Sequence, residues 1–124
     1  MANTIRGYRV SLSIILQSLA QLSLRYGPDY AKSIQGGFTT YLTYTASDEE
    51  TAQFFERRAG RVVETQISQD EDRIDQRSEY NLLNADEIRR MDAREALILS
   101  GNQQPAVIRT TPWFENSRFK AIGD

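Results

Sequence analysis

Residues 10–27 read VSLSIILQSLAQLSLRYG, and this stretch decides the fold. Residues 10–16 are a short apolar run rich in branched side chains, the composition of a strand buried on both faces of a parallel sheet. Gln17 and Ser18 stand where the run stops. Leu19, Leu22 and Tyr26 then recur at helical spacing until Gly27 and Pro28 end the segment. Ligands of open parallel sheets collect at the carboxyl ends of strands, which makes Gln17 and Ser18 a candidate site. The competing reading is structural: an N-capping Ser18 after a Gln17 that points to solvent.

Outward from this stretch, residues 1–9 form a polar lead-in carrying Arg6, Tyr8 and Arg9. A buried parallel strand needs neighbours on both sides, so a natural beginning at Met1 is not expected. After Pro28, residues 29–35 have room for a short helix with Tyr30 and Ile34 on one face, stopped by Gly36 and Gly37. Residues 38–45, FTTYLTYT, read as a strand with Phe38, Thr40, Leu42 and Tyr44 on one face. Ser47 and Glu50 match the S-x-x-E capping box of a helix that faces inward through Ala52, Phe55 and Ala59 and closes at Gly60. Residues 61–67 suit a further strand, and the alternation predicts an α/β fold with parallel crossovers.

The character changes at residues 66–81. Asp70, Glu71, Asp72, Asp75 and Glu79 outnumber Arg73 and Arg77, which predicts a solvated acidic loop. Without a Gly turn or regular ligand spacing, these acids do not make a metal site. Asn84 and Glu87 give a second capping signal, for a helix through Ile88 and Met91. Residues 95–100 and 105–110 flank the turn 101–104 as a β-hairpin. Trp113, Phe114 and Phe119 form an aromatic tail expected to cover the sheet edge or core, with a partner groove as the alternative.

Composition narrows the chemistry. The chain has 124 residues, a hydrophobic fraction of 40% and a formal charge of -2, which fits one packed domain with no basic field for tracking phosphates. Without Cys or His it has no thiolate nucleophile, disulfide, imidazole base or ordinary zinc site. Thirteen arginines against Lys32 and Lys120 favour bidentate anion contacts, although genomic composition produces the same bias. No apolar run approaches a membrane span, so a soluble chain is expected. The phosphate loop G-x-x-x-x-G-K-[ST] and an apolar strand ending in Asp-Glu are both missing, which excludes a free-standing NTPase. Among the seventeen acids no pair stands out as a glycosidase dyad.

Five blocks in register carry a resemblance. They are RGYRVSLSIILQSLAQLSLRYG at 6–27, DEETAQFF at 48–55 with Gly60, LLNADEIRRM at 82–91, EALIL at 95–99 and WFENSRF at 113–119. Together the chain resembles the TraG/VirD type IV secretion coupling proteins over almost its whole length. The resemblance implies a RecA-like, P-loop NTPase-type partial domain, with a mostly parallel sheet, flanking helices and a C-terminal β-hairpin. Residues 1–124 then correspond to the C-terminal portion of the nucleotide-binding domain. They divide into an α/β core at 1–67, an acidic polar loop at 68–81, and a helix, hairpin and aromatic tail at 82–124.

In function, the resemblance implies a segment of a hexameric, ATP-dependent motor of conjugation. Such a motor recruits relaxase-bound DNA or effector protein at the cytoplasmic face of the bacterial inner membrane. Gln17 matches the family's strand-end Gln beside the nucleotide and, with Ser18, is expected to sense nucleotide state. Arg6 stands where the family places an arginine that reaches a neighbouring subunit's nucleotide, and Arg9 is its competitor; both also read as ordinary solvated arginines. ATP and Mg2+ belong to the complete motor, and this chain alone is expected neither to bind ATP tightly nor to hydrolyse it. Expected partners are other copies of the full-length protein, relaxosome or effector adaptors, DNA through the assembled channel, and secretion-channel components. The alternatives are a non-catalytic binding module for an adaptor, working through the 56–80 surface and the aromatic tail, and a truncated remnant.

Overall fold

A computed structural model describes residues 6–66 and 76–123; the side chains of residues 6, 65–66, 76–77 and 123 lie outside that description. A single 3-10 turn, Arg6–Tyr8, leads into residues 10–16, which have no regular secondary structure up to a bend at Gln17. Helix α1 (Ala20–Tyr26) and helix α2 (Pro28–Gly36) follow with one residue between them. That residue is Gly27, at φ 83°, a left-handed conformation that glycine adopts without a Cβ penalty. Pro28 can then open α2, because its missing N–H falls where a helix has no partner to offer.

Strand β1 (Thr40–Thr43) precedes helix α3 (Glu49–Ala59). Strands β2 (Arg61–Gln66) and β3 (Gln76–Asn81), helix α4 (Ala85–Arg89), and strands β4 (Glu95–Ser100) and β5 (Ala106–Arg109) come next. A 3-10 turn, Trp113–Glu115, and helix α5 (Ser117–Gly123) close the described chain. The mixed α/β character is as expected, and β4 with β5 makes the expected hairpin.

The sheets correct the expected strand direction. Among the described residues three strands pair in the order β1-β4-β5 and β2 pairs with β3, and each of these pairings is antiparallel. The chain returns to β4 by way of α3, β2, β3 and α4, and it enters β4 from the opposite end, so Thr40 lies across from Ser100 and Thr43 across from Leu97.

Residues 10–16 are a second correction. They form no strand, and their side chains are exposed, Ile15 to 95%. A β-branched run is extended by local preference, but a strand exists only when another edge accepts its ladder bonds. Among the described residues none does.

Residues 76–81 also differ from expectation, since they form β3 where an acidic polar loop was read; residues 67–75 of that reading lie outside the described residues. Val63, Ser78, Glu79 and Tyr80 are exposed, so this hairpin carries no apolar alternation to announce it. Its base is tied to α3 by Leu82 N–H donating to Gly60 O (3.0 Å) and Asn81 Nδ2 donating to Glu56 Oε1 (2.8 Å).

The core lies between α3, α4 and β4. Ala52, Phe54, Phe55 and Ala59 on α3 meet Ile88 on α4 and Leu97 and Leu99 on β4, with Ala46 from the loop before α3. Ile88 and Leu97 are the largest side chains fully removed from solvent, each contributing about 1.5–3 kcal/mol by burial. Phe54 stands edge-on to Tyr41 (centroids 5.5 Å) and to Phe55 (5.4 Å). The Arg58 guanidinium covers the Tyr41 ring at 4.3 Å. Tyr41 and Thr43 are therefore the inward residues of β1, while Leu42 and Tyr44 of the expected face are exposed.

Caps set the helix starts. Asn84 Oδ1 accepts from Glu87 N–H and Glu87 Oε2 accepts from Asn84 N–H, both at 2.9 Å, completing the expected box. For α3 the cap is Asp48 rather than Ser47, its carboxylate accepting from Thr51 N–H at 2.9 Å. A carboxylate three residues ahead of Thr51 takes both its N–H and its hydroxyl, which a serine one residue earlier cannot reach.

The aromatic tail is a further correction. Trp113, Phe114 and Phe119 are exposed, Trp113 to 59%, and cover neither edge nor core. Trp113 and Phe114 pack edge-on against each other, and a two-bond Arg94 to Glu115 pair anchors the turn to the start of β4 (2.7 and 3.1 Å). Among the described residues no helix is long and apolar enough to cross a membrane.

Candidate functional site

Gln17 sits at the bend between the run 10–16 and α1, and its side chain is exposed. Its backbone N–H donates to Gln21 Oε1 at 3.1 Å, and Gln21 Nε2 donates back to Gln17 Oε1 at 3.3 Å. The two carboxamides meet because residues four apart share one face of a helical turn. Ser18 is half-buried and caps nothing with its side chain; its carbonyl accepts from Gln21 N–H at 3.3 Å. The N-cap position of α1 belongs to Leu19.

Leu19 is fixed from a distance in sequence. Its N–H donates to Thr51 Oγ1 at 3.1 Å, and the Thr51 hydroxyl donates to the Asp48 carboxylate at 2.8 Å. Among the described residues Thr51 is the buried polar one, 8% exposed, and this pair of bonds satisfies it. The N-terminal turn of α3 thereby holds the backbone that carries Gln17 and Ser18.

Beside the bend runs a groove of about 840 Å³. One wall is the run 10–17, with Leu12, Ile14 and Gln17; the other is β1, with Thr40 and Leu42. β1 is the edge of its sheet, so this wall presents main-chain groups.

Gln17 and Ser18 are thus adjacent at one rim, as their sequence neighbourhood requires. Arg6 begins the first 3-10 turn, but its side chain lies outside the described part, so its placement relative to Gln17 is untested. Arg9, its competitor, is exposed at φ 57°, in the left-handed region. Among the described residues no group of His, Cys, Asp or Glu has the arrangement of a metal site.

Two residues of the site escaped the sequence reading. Gln21 was legible as the second of two carboxamides at i and i+4. Thr51 was legible only as the third residue after Asp48, and its bond to Leu19 spans 32 positions with no local signal.

The model of the family described as type IV secretory system conjugative DNA transfer matches residues 1–123. No curated protein matches the chain. Among solved structures, the bacterial conjugative coupling protein TrwBdeltaN70 in its unbound monoclinic form is similar at a TM-score of 0.63 and 18% identity, over 76% of this chain and 23% of that one. The trigonal form in complex with sulphate gives a TM-score of 0.62 and 21% identity, over 77% and 23%. The likeness shows a shared fold, and the chain spans about a quarter of the length of that protein. The match over nearly every residue identifies the chain as belonging to the family of type IV secretory system conjugative DNA transfer proteins.

Proposed function

We propose that this chain serves as one part of an ATP-driven coupling motor that moves relaxase-bound DNA, or effector protein, into a secretion channel. Its contribution is the wall of a nucleotide pocket on which Gln17 reads the state of the terminal phosphate. The observation that carries the reading is the Gln17 carboxamide, exposed at the end of the run 10–16 and held by Gln21, with the Leu19 backbone two residues on held by Thr51.

The donor set suits one corner of a nucleotide site. Gln17 Nε2 is a hydrogen-bond donor with no acceptor among the described residues, which suits a phosphoryl oxygen. The sequence has no Gly-Lys pair to cradle the phosphates. Those groups, and the carboxylates for Mg2+, would come from polypeptide beyond these residues, which is why this chain alone is proposed to be inactive. ATP bound in the complete motor supplies the phosphoryl group whose transfer drives the cycle.

Arg6 would act in trans, reaching a neighbouring copy's nucleotide and stabilising charge on the transferred group. That role needs a ring of subunits, and a homo-hexamer at the inner membrane is the assembly proposed. The exposed pair Trp113 and Phe114 favours a second, compatible role as a contact for a relaxosome or effector adaptor. Removing residues 113–123 without loss of adaptor recovery would discard that role.

The test is plasmid transfer between cells whose coupling protein carries this segment. Gln17→Ala is expected to lower transfer frequency by about 100-fold at unchanged protein level. Transfer at the wild-type frequency would refute the reading.

A further inference from the structure

We infer that Gln21 is a positioning residue that sets which end of the Gln17 carboxamide faces outward, so that Gln17 meets an anion as a hydrogen-bond donor. This rests on the proposed reading of Gln17 as the residue that senses the terminal phosphate.

The assignment follows from one backbone group. The N–H of Gln17 can only donate, so the Gln21 atom it meets at 3.1 Å must be the carbonyl oxygen. The other arm of Gln21 is then its NH2, which can only donate, so the Gln17 atom it meets at 3.3 Å must also be oxygen. The orientation of both carboxamides is thereby determined without choice. Gln17 Oε1 is turned inward onto Gln21, and Gln17 Nε2 is left outward.

The polarity matters chemically. A glutamine that orients an attacking water must offer its oxygen to the water's proton, whereas one that binds a phosphoryl oxygen must offer N–H. Gln21 holds Gln17 in the second arrangement. Gln21 follows Gln17 by one helical turn, so both bonds form within a single local unit.

Two substitutions separate polarity from simple anchoring. Glu in place of Gln21 still accepts from the Gln17 backbone but cannot donate, so the Gln17 carboxamide turns over and gives its NH2 to the carboxylate. Lys in place of Gln21 still donates to Gln17 Oε1, preserving the outward NH2, but leaves the Gln17 backbone N–H unbonded.

The experiment uses the 124-residue chain, 15N-labelled, as wild type, Gln21→Glu and Gln21→Lys, with Gln17 side-chain and backbone amide resonances followed by NMR. Gln21→Glu should move the Gln17 Nε2 hydrogens downfield and leave backbone exchange slow. Gln21→Lys should leave those hydrogens in place and speed exchange of the Gln17 backbone amide about fivefold. Nε2 hydrogens unmoved in Gln21→Glu, or moved equally by both variants, would overturn the clamp itself.

Phosphate release from MgATP by the coupling protein carrying this segment supplies the second readout. Gln21→Glu should lower it by about 100-fold, and Gln21→Lys, which keeps the outward NH2 but loses the backbone bond, should lower it far less. Equal loss in both variants would reduce Gln21 to an anchor and overturn the proposal. Wild-type turnover in Gln17→Ala would instead overturn the nucleotide reading, and the NMR pattern would still show whether Gln21 sets the carboxamide.

Discussion

The Leu19 backbone N–H donates to the buried Thr51 hydroxyl at 3.1 Å, joining the bend after residues 10–16 to the first turn of α3. Thr51 in turn gives its proton to Asp48, so the bend, the helix cap and the core residue form one connected polar unit. Such a unit is stabilising only when each member is satisfied, because its groups are removed from water.

Thr51→Val keeps the shape of the side chain and deletes both hydroxyl bonds. It should destabilise the chain by about 1–3 kcal/mol, since the Leu19 N–H loses its acceptor. Thr51→Ser should recover most of that. Urea unfolding followed by circular dichroism measures both, and equal midpoints for Val and Thr would show that the link is not stabilising.

Ile88 is fully buried against the α3 and β4 side chains. Ile88→Ala should cost about 2–5 kcal/mol, a large share of the stability of a small domain. The same unfolding measurement checks it, and a loss below 1 kcal/mol would mean that α4 does not seal the core.

Asn84 and Glu87 make a reciprocal cap on a five-residue helix. Asn84→Ala should lower stability by about 1 kcal/mol, and Asn84→Asp should retain it. Because Ile88 sits on this helix, the loss should also appear as faster hydrogen exchange in β4.

The exposed apolar wall of residues 10–16 faces a sheet edge with open main-chain groups. Self-association in sedimentation is therefore expected, and it should weaken in Leu12→Lys and Leu42→Lys. A monomer at every concentration would count against the exposed edge as an associating surface.

What could be read from the sequence was local. The Asn84 box and the hairpin across Gly101 both depend on residues within a few positions of one another, and both were legible. The start of α3 was missed by one residue because Ser47 and Asp48 are both competent caps, and only Thr51 decides between them. The run 10–16 was misread because extended preference is local while ladder pairing is not. β3 was hidden by its solvent-facing side chains, and the aromatic tail was misplaced because aromatic residues predict burial without saying against what. At the candidate site, Gln17 and Ser18 stand out by sequence position alone, while the support of the neighbouring Leu19 backbone comes from Thr51, 32 positions away.

The most direct test of the central claim is phosphate release from MgATP by three samples: the coupling protein carrying this segment, its Gln17→Ala variant, and the 124-residue chain alone. The account predicts turnover in the first, a loss of about 100-fold in the second with ATP still bound, and none in the third. Wild-type turnover in the variant, or measurable turnover by the 124-residue chain alone, would contradict it.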